Sequence, residues 1–266
     1  NCASATKVTV DTALDTGQFS SLVLAGGLPI ISYYDGGNLA DNLKLAHCLD
    51  ATCTTKTITS VYTTGITGLY TSIEMSAGLP TIAFYDASTE RVMVKRCVNL
   101  DCTGGTAPTA VVTTTGVSEQ HLSLAIDASG FPVISYLDPG LGLVAIAHCV
   151  DATCTGAPSE HTLADPSGPL LEPVYSSIVL GNGIPTVSYY DSGSDSLRVG
   201  RCIDATCVDT LVSIADQTNG AYTSIALGTD GYPVISSYDQ SLNRDLVITR
   251  CVDPFCSPRR IRSLNG

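Results

Sequence analysis

The sequence has no tryptophan, only two methionines and few charges, since Asp, Glu, Lys and Arg make up 14% of its 266 residues. Thirteen basic residues stand against 25 acidic ones, which gives a formal net charge of −12. They form no long basic patch, and phosphate recognition needs a concentrated basic surface, so nucleic acid is excluded as a partner. The longest apolar run, residues 22–31, is broken by two glycines and a proline. It is far shorter than the roughly 18 residues of a membrane span, so no membrane span is expected.

Cysteine is abundant in this sequence, although charged residues are few. Eleven cysteines occur at regular spacing. Such a pattern is typical of proteins that fold in an oxidising compartment, which predicts a secreted or cell-surface protein. No signal peptide is visible, so we expect a mature or trimmed chain.

An internal repeat organises the whole chain. A segment of the form Gly-x-Pro followed by an apolar run and Asp occurs five times, with its prolines 48 to 53 residues apart. The copies are Gly27–Asp35, Gly78–Asp86, Gly130–Asp138, Gly183–Asp191 and Gly231–Asp239. A Cys-x4-Cys segment closes each copy. Repeats of about 50 residues indicate one supersecondary unit per copy.

Each copy predicts four short strands and no helix. In the second copy the strands fall at 70–75, 80–85, 91–97 and 110–114, rich in Val, Ile, Tyr and Thr and separated by turn residues. A four-stranded sheet repeated at this length predicts an all-β, five-bladed β-propeller of four-stranded antiparallel blades. We expect a single domain over 1–266, with repeats at 13–64, 65–115, 116–168, 169–220 and 221–266, and residues 1–12 as a surplus closing strand.

The architecture resembles the disulfide-stapled, tandem-repeat β-propellers of secreted proteins, without identifying a family. The Trp-Asp dipeptides of WD repeats and the tryptophans of five-bladed lectins are absent. The constant spacing predicts one disulfide per blade, stapling the hairpin between the third and fourth strands. The predicted pairs are Cys48–Cys53, Cys97–Cys102, Cys149–Cys154, Cys202–Cys207 and Cys251–Cys256.

Antiparallel order places the start of each first strand and the turn after each second strand on one face, which the resemblance implies is the ligand face. Aromatic rings recur at the first position: Phe19, Tyr70, His121, Tyr175 and Tyr222. Aspartates recur at the second: Asp35, Asp86, Asp138, Asp191 and Asp239. Rings beside carboxylates suit a sugar-binding surface. Alternatively, the aspartates cap turns and the rings pack between blades.

Catalytic residues would be expected at positions where one copy differs from the others. Glu74 stands on a first strand where the other copies have Val or Ala, and we include it among the ligand-binding candidates. Glu119 and Glu172 also break the pattern. Glycosidases use paired carboxylates, so Glu74, Glu119 and Asp127 are candidates for that role, against the alternative of solvated carboxylates.

A bound cation is the remaining possibility for the acidic loops. Asp35 with Asp41, and Asp191 with Asp195, form oxygen-rich loops that are weak candidates for Ca²⁺. Zinc is not expected, because each Cys-x4-Cys segment lacks a second pair of ligands nearby. No other cofactor is predicted.

These observations favour a non-catalytic extracellular binding or adhesion scaffold, with glycan as the ligand class. Two alternatives stay open: a self-assembling structural subunit and a glycoside hydrolase. Self-assembly would use the terminal strands Lys7–Thr12 or Arg260–Leu264, together with Cys2, the one cysteine without a predicted partner.

Overall fold

The computed structural model describes residues 7–37, 41–113, 121–138, 140–163, 175–217, 220–239 and 245–257. These residues form nineteen β-strands in five antiparallel sheets, one for each repeat. Among them, no helix is long and apolar enough to cross a membrane. The five sheets agree with the five predicted repeats.

The strands follow one another in chain order within each sheet. The first sheet contains β1 (Thr16–Ala25), β2 (Leu28–Asp35), β3 (Asn42–Cys48) and β4 (Lys56–Tyr62). The second contains β5 (Thr67–Ser76), β6 (Leu79–Asp86), β7 (Arg91–Arg96) and β8 (Thr109–Thr113). The third contains β9 (Ser123–Ile126), β10 (Pro132–Asp138), β11 (Leu143–His148) and β12 (Ser159–Thr162). The fourth contains β13 (Ser176–Gly181), β14 (Ile184–Asp191), β15 (Ser196–Cys202) and β16 (Thr210–Asp216). The fifth has three described strands, β17 (Ala221–Leu227), β18 (Pro233–Tyr238) and β19 (Leu246–Arg250).

The contacts of the chain divide it into two compact units. The first comprises Asn1–Gly140 and Ala147–Glu160, and the second comprises Leu141–Ile146 and His161–Gly266. The third repeat therefore contributes to both units. The predicted repeat boundaries stay a prediction.

In the first unit, the core lies between the first and second sheets. Ile30, Leu43 and Leu45 of the first sheet pack with Ile82 and Phe84 of the second. Middle strands such as β6 are buried on both faces, which explains why their sequences are apolar runs and not alternating ones. The first strands are also joined directly, because Ser21 Oγ accepts from the backbone N–H of Ile73 at 3.2 Å.

The second unit repeats this arrangement between the fourth and fifth sheets. Leu197 and Val199 pack with Ile225 and Ile235. Ser177 Oγ accepts from the N–H of Ile225 at 3.3 Å, as Ser21 does in the first unit. The same serine position therefore links neighbouring sheets in both units.

All five predicted disulfides are formed, one in each Cys-x4-Cys segment. The second cysteine of each pair has a positive φ, from 50° to 58°, which closes the turn. The acid or amide two residues after the first cysteine caps the same turn. Asp50, for example, accepts from the backbone N–H groups of Thr52, Thr54 and Thr55.

Replacing Cys97 and Cys102 together with alanine is expected to lower the free energy of unfolding by roughly 2 kcal/mol, the chain-entropy value for so short a loop. Urea unfolding of the oxidised protein and of the variant measures the difference. An equal free energy of unfolding for the two proteins would show that the staple adds nothing beyond the capped turn.

The expected strand at Lys7–Thr12 is not formed. Instead this segment lies against the first sheet, where Asp11 accepts from the Tyr33 hydroxyl at 2.8 Å and pairs with Lys44 at 3.3 Å. The Thr9 carbonyl of this segment accepts from Lys56 Nζ at 3.2 Å. Arg260–Leu264 and Cys2, the other residues named for self-assembly, lie outside the described residues.

Candidate functional site

The predicted aromatic residues and Glu74 lie on the first strands of the sheets or directly before them. Within the first unit, β1, β5 and β9 lie side by side, since Ser21 accepts from Ile73 and Ser72 accepts from the N–H of Leu124 at 3.0 Å. Exposed positions occur along β1 and at Glu74 of β5. Glu74 is also where the sequence departs from the repeat.

A β-bulge carries the aromatic residue at the start of three first strands. Phe19, Tyr70 and Tyr222 have φ values of 52°, 53° and 53°, and each lies where the register with the second strand shifts. A bulky side chain in this left-handed region is strained by about 1–3 kcal/mol. Bulges redirect side chains, so the strain indicates that ring position matters at these sites.

The bulges bring the aromatic rings against one another. Ring centroids lie 4.3 Å apart for Phe19 and Tyr70, and 4.9 Å apart for Tyr70 and His121. In the second unit, Tyr175 and Tyr222 are 4.1 Å apart. Tyr70 therefore has a ring on either side, which leaves little of its face open to a sugar. Tyr222 has the most open side chain of the set, with 64% exposed.

A glycine two residues before the aromatic gives each bulge its backbone freedom, and one pair of glycines makes a matched test. Gly68 and Gly17 both have φ of +93°, but a Cβ on Gly68 would lie 2.7 Å from the Leu43 Cα, whereas Gly17 has nothing within 4 Å. Gly68→Ala is expected to destabilise by about 2–3 kcal/mol, because strain and a backbone clash add. Gly17→Ala should show only the strain, about 1 kcal/mol. Urea unfolding midpoints compare the two, and equal losses would contradict the packing argument.

Four of the five turn aspartates accept hydrogen bonds from backbone N–H groups of their own turns. Asp86 is buried and accepts from the N–H groups of Ser88 and Thr89. Asp138 accepts from the N–H of Gly140 at 2.9 Å. Asp35 and Asp191 are buried and accept from Gly37 and Gly193 in the same manner, and Asp239 is also buried.

The loops proposed for Ca²⁺ already contain protein cations and donors. Lys44 Nζ lies 2.7 Å from Asp35, and Arg198 Nη2 lies 2.8 Å from Asp191. The Tyr34 hydroxyl donates to Asp41 at 2.5 Å, and the Tyr190 hydroxyl donates to Asp195 at 2.9 Å. A calcium ion would have to displace these groups. No cluster of three or more metal-ligating side chains occurs in the part of the chain that the structure describes.

Glu74 lies apart from the aromatic rings. It is four residues after Tyr70 on β5, about 13 Å along an extended strand, and close to the turn at Gly78. Its side chain reaches the solvent, but the protein atoms around it exclude part of its water, and this desolvation raises its pKa. The Met75 N–H acts in the opposite direction. Glu74 is therefore the titratable group of β5 whose environment favours the protonated form.

The other candidate carboxylates are engaged or lie outside the described residues. Asp127 accepts from the N–H groups of Ser129 and Phe131 and contacts His148 at 2.9 Å. Burial opposes ionisation of Asp127, but these hydrogen bonds outweigh it and lower its pKa. Glu119 and Glu172 lie outside the described residues.

The repeat pattern does not predict one polar cluster. Asp11, Tyr33, Lys44 and Asp35 form a connected polar group on the first sheet. Lys44 could have indicated this cluster in the sequence. It is the third residue of β3, and among the third strands of the five sheets only β15, with Arg198, also has a basic residue at that position. Asp11 precedes the first repeat, so no periodicity points to it.

No protein-family profile and no curated protein sequence matches the chain. Solved structures are similar in fold. A Hadza microbial sialidase has 11% identity and a TM-score of 0.57, over 91% of this chain and 57% of that one. An endo-1,4-β-xylanase of Bacteroides thetaiotaomicron has 9% identity and a TM-score of 0.52, over 90% and 96%. An arabinanase of Bacillus subtilis has 13% identity and a TM-score of 0.51, over 90% and 95%.

These matches correct the expected function. The sequence favoured a non-catalytic scaffold that is not an enzyme, but the three solved structures named above are a sialidase, a xylanase and an arabinanase. A shared fold does not decide function, because the chemistry depends on a few side chains placed on the scaffold. With five antiparallel sheets and five disulfide hairpins, the chain adopts the five-bladed β-propeller fold.

Proposed function

We propose that the chain is a secreted glycoside hydrolase, with Glu74 as its general acid. The proposal depends on Glu74. This residue stands where the other first strands have Val or Ala, and desolvation by the surrounding protein raises its pKa. A carboxylic acid that keeps its proton nearer neutral pH can protonate the oxygen of a leaving sugar. The five disulfides support secretion.

Hydrolysis also needs a second carboxylate, which serves as base or nucleophile on the opposite side of the sugar. Asp35, Asp86 and Asp191 are unsuited to this step, because they are buried and accept turn N–H groups. Glu119 is the sequence candidate for this role, because it also departs from the repeat. Loss of turnover in Glu119→Gln would support it.

The direct test is turnover of defined glycans. Linear arabinan, xylan and a sialylated oligosaccharide sample the substrates of the enzymes that share the fold. Release of reducing sugar or of sialic acid from one of them by the purified, oxidised protein is expected. Absence of product from all three at micromolar enzyme would overturn the proposal for these substrate classes.

Activity should depend on the protonation of Glu74. Because burial raises the pKa of Glu74, the acid form persists to higher pH than for an ordinary glutamate, and turnover falls as pH rises through that pKa. A pH–rate profile of kcat/KM on the cleaved glycan locates this basic limb. A rate that stays constant from pH 5 to about pH 9 would exclude a carboxylic general acid.

A further inference from the structure

The first sheet has a small cavity near the start of β1, on the face that does not pack against the second sheet. Its volume is about 230 Å³. The lining residues are Val10, Asp11, Thr16, Gly17, Ser20, Ile31 and Tyr33. Ligand pockets for drug-sized molecules begin near about 300 Å³, so this cavity suits a smaller ligand, comparable to one sugar ring.

Comparison with the second sheet explains why the cavity is present. Ile31 and Tyr33 correspond in the repeat to Ile82 and Phe84, which are fully buried in the core with the first sheet. On the first sheet, the segment that carries Asp11 lies over this face. Tyr33 has a hydroxyl where Phe84 has none, and that hydroxyl donates to Asp11.

The polar groups of the cavity are held in place. Asp11 Oδ1 accepts from the N–H of Ala13 at 3.0 Å, and its Oδ2 accepts from Tyr33 and Lys44. Burial opposes ionisation of Asp11, but the bonds from Ala13, Tyr33 and Lys44 outweigh it and lower its pKa, so the carboxylate stays charged at neutral pH. The Tyr33 hydroxyl is 2.8 Å from Asp11 and retains its capacity to accept a hydrogen bond.

Charge selects the ligand. Lys44 lies 3.3 Å from Asp11 and 2.7 Å from Asp35, so the group contains one cation between two carboxylates. The group therefore carries a net negative charge, which repels an anion, while Lys44 already offsets part of the attraction that the two carboxylates offer to a cation. Neutral hydroxyl groups can donate to Asp11 and bond with Ser20, while Val10 and Ile31 offer apolar contact.

We propose that this cavity, lined by Asp11, Ser20, Ile31 and Tyr33, binds one neutral sugar residue. The proposal goes beyond hydrolysis, because it concerns a surface of the first sheet and uses no residue of the proposed chemistry. It would hold glycan on the protein whether or not Glu74 cleaves it.

Calorimetric or NMR titration with L-arabinose and D-xylose tests the proposal, and free monosaccharides keep the result separate from hydrolysis because they have no glycosidic bond. Ser20→Phe fills the cavity and is expected to weaken binding by more than about tenfold. Leu24→Phe is the matched control, since Leu24 is exposed on the same strand and does not line the cavity. D-glucuronate, an anion, should bind more weakly than the neutral sugars.

Three results would overturn the proposal. The first is that neither neutral sugar shows saturable binding. The second is that Ser20→Phe binds as well as the wild type, or that Leu24→Phe loses as much as it does. The third is that D-glucuronate binds more tightly than the neutral sugars. Thermal unfolding of both variants shows that any loss occurs in a folded protein.

Discussion

Replacing Glu74 with glutamine is expected to reduce kcat on the cleaved glycan by two to four orders of magnitude, roughly the contribution of a positioned general acid. Glutamine has nearly the same shape but cannot give up a proton to the leaving oxygen. The loss should appear in kcat, with KM little changed, because the proton moves in the transition state. Initial rates at saturating glycan measure it.

Glu160→Gln provides the matched control. Glu160 is an exposed carboxylate on β12 that accepts from the Tyr136 hydroxyl at 3.2 Å, a bond that the glutamine carbonyl can retain. Its turnover should equal that of the wild type. If Glu74→Gln and the wild type hydrolyse glycan equally fast, Glu74 is not the acid.

The stability of Glu74→Gln separates a chemical role from a structural one. A folded-state pKa raised by burial means that ionised Glu74 destabilises the fold, an effect that grows as pH rises through that pKa. The variant should therefore unfold at the same or a slightly higher temperature than the wild type at neutral pH. A loss of stability together with a loss of turnover would indicate damage to the fold.

The repeat explains why the fold was predictable from sequence. Five copies of one pattern constrain strand type, turn position and disulfide pairing five times over, and the disulfides at Cys48, Cys97 and Cys149 follow from constant spacing. The chain start is not repeated. Accordingly, Lys7–Thr12 does not form the expected strand, and Asp11 instead bonds to Tyr33 and Lys44 of the first sheet.

The site was less predictable, because the same residue types serve several ends. An aspartate at the start of a turn has the same sequence pattern whether it binds a ligand or accepts a hydrogen bond from its own turn, as Asp86 does. The left-handed bulge at Tyr70 turns its ring toward Phe19 and His121. The spacing of residues in the sequence does not predict the positive φ that produces this turn. Glu74 was grouped with the rings, although strand length puts it near the opposite end of β5.

Replacing Arg198 with methionine is expected to destabilise the second unit by about 3–5 kcal/mol, the cost of leaving a buried carboxylate without its partner. Arg198 and Asp191 are 4% and 1% exposed, and Arg198 Nη2 donates to Asp191 at 2.8 Å. The guanidinium also donates to Ser194 and Ser196. Urea unfolding at neutral pH measures the loss.

Arg250→Met is the matched control at the surface. Arg250 and Asp230 are 2.7 Å apart, but their side chains are 61% and 38% exposed, so water screens the pair. This variant should lose under about 1 kcal/mol. Equal losses in the two arginine variants would show that burial does not set the value of the Arg198 pair.

A double variant, Asp191→Asn with Arg198→Met, identifies the origin of the loss. If the unpaired charge is responsible, removing it should restore a large part of the stability, because asparagine still accepts from the Gly193 N–H with its side-chain oxygen. For the same reason, Arg198→Met alone should gain stability as pH falls and Asp191 takes up a proton. A double variant no more stable than Arg198→Met, with no gain on acidification, would assign the loss to the contacts with Ser194 and Ser196 instead of the charge.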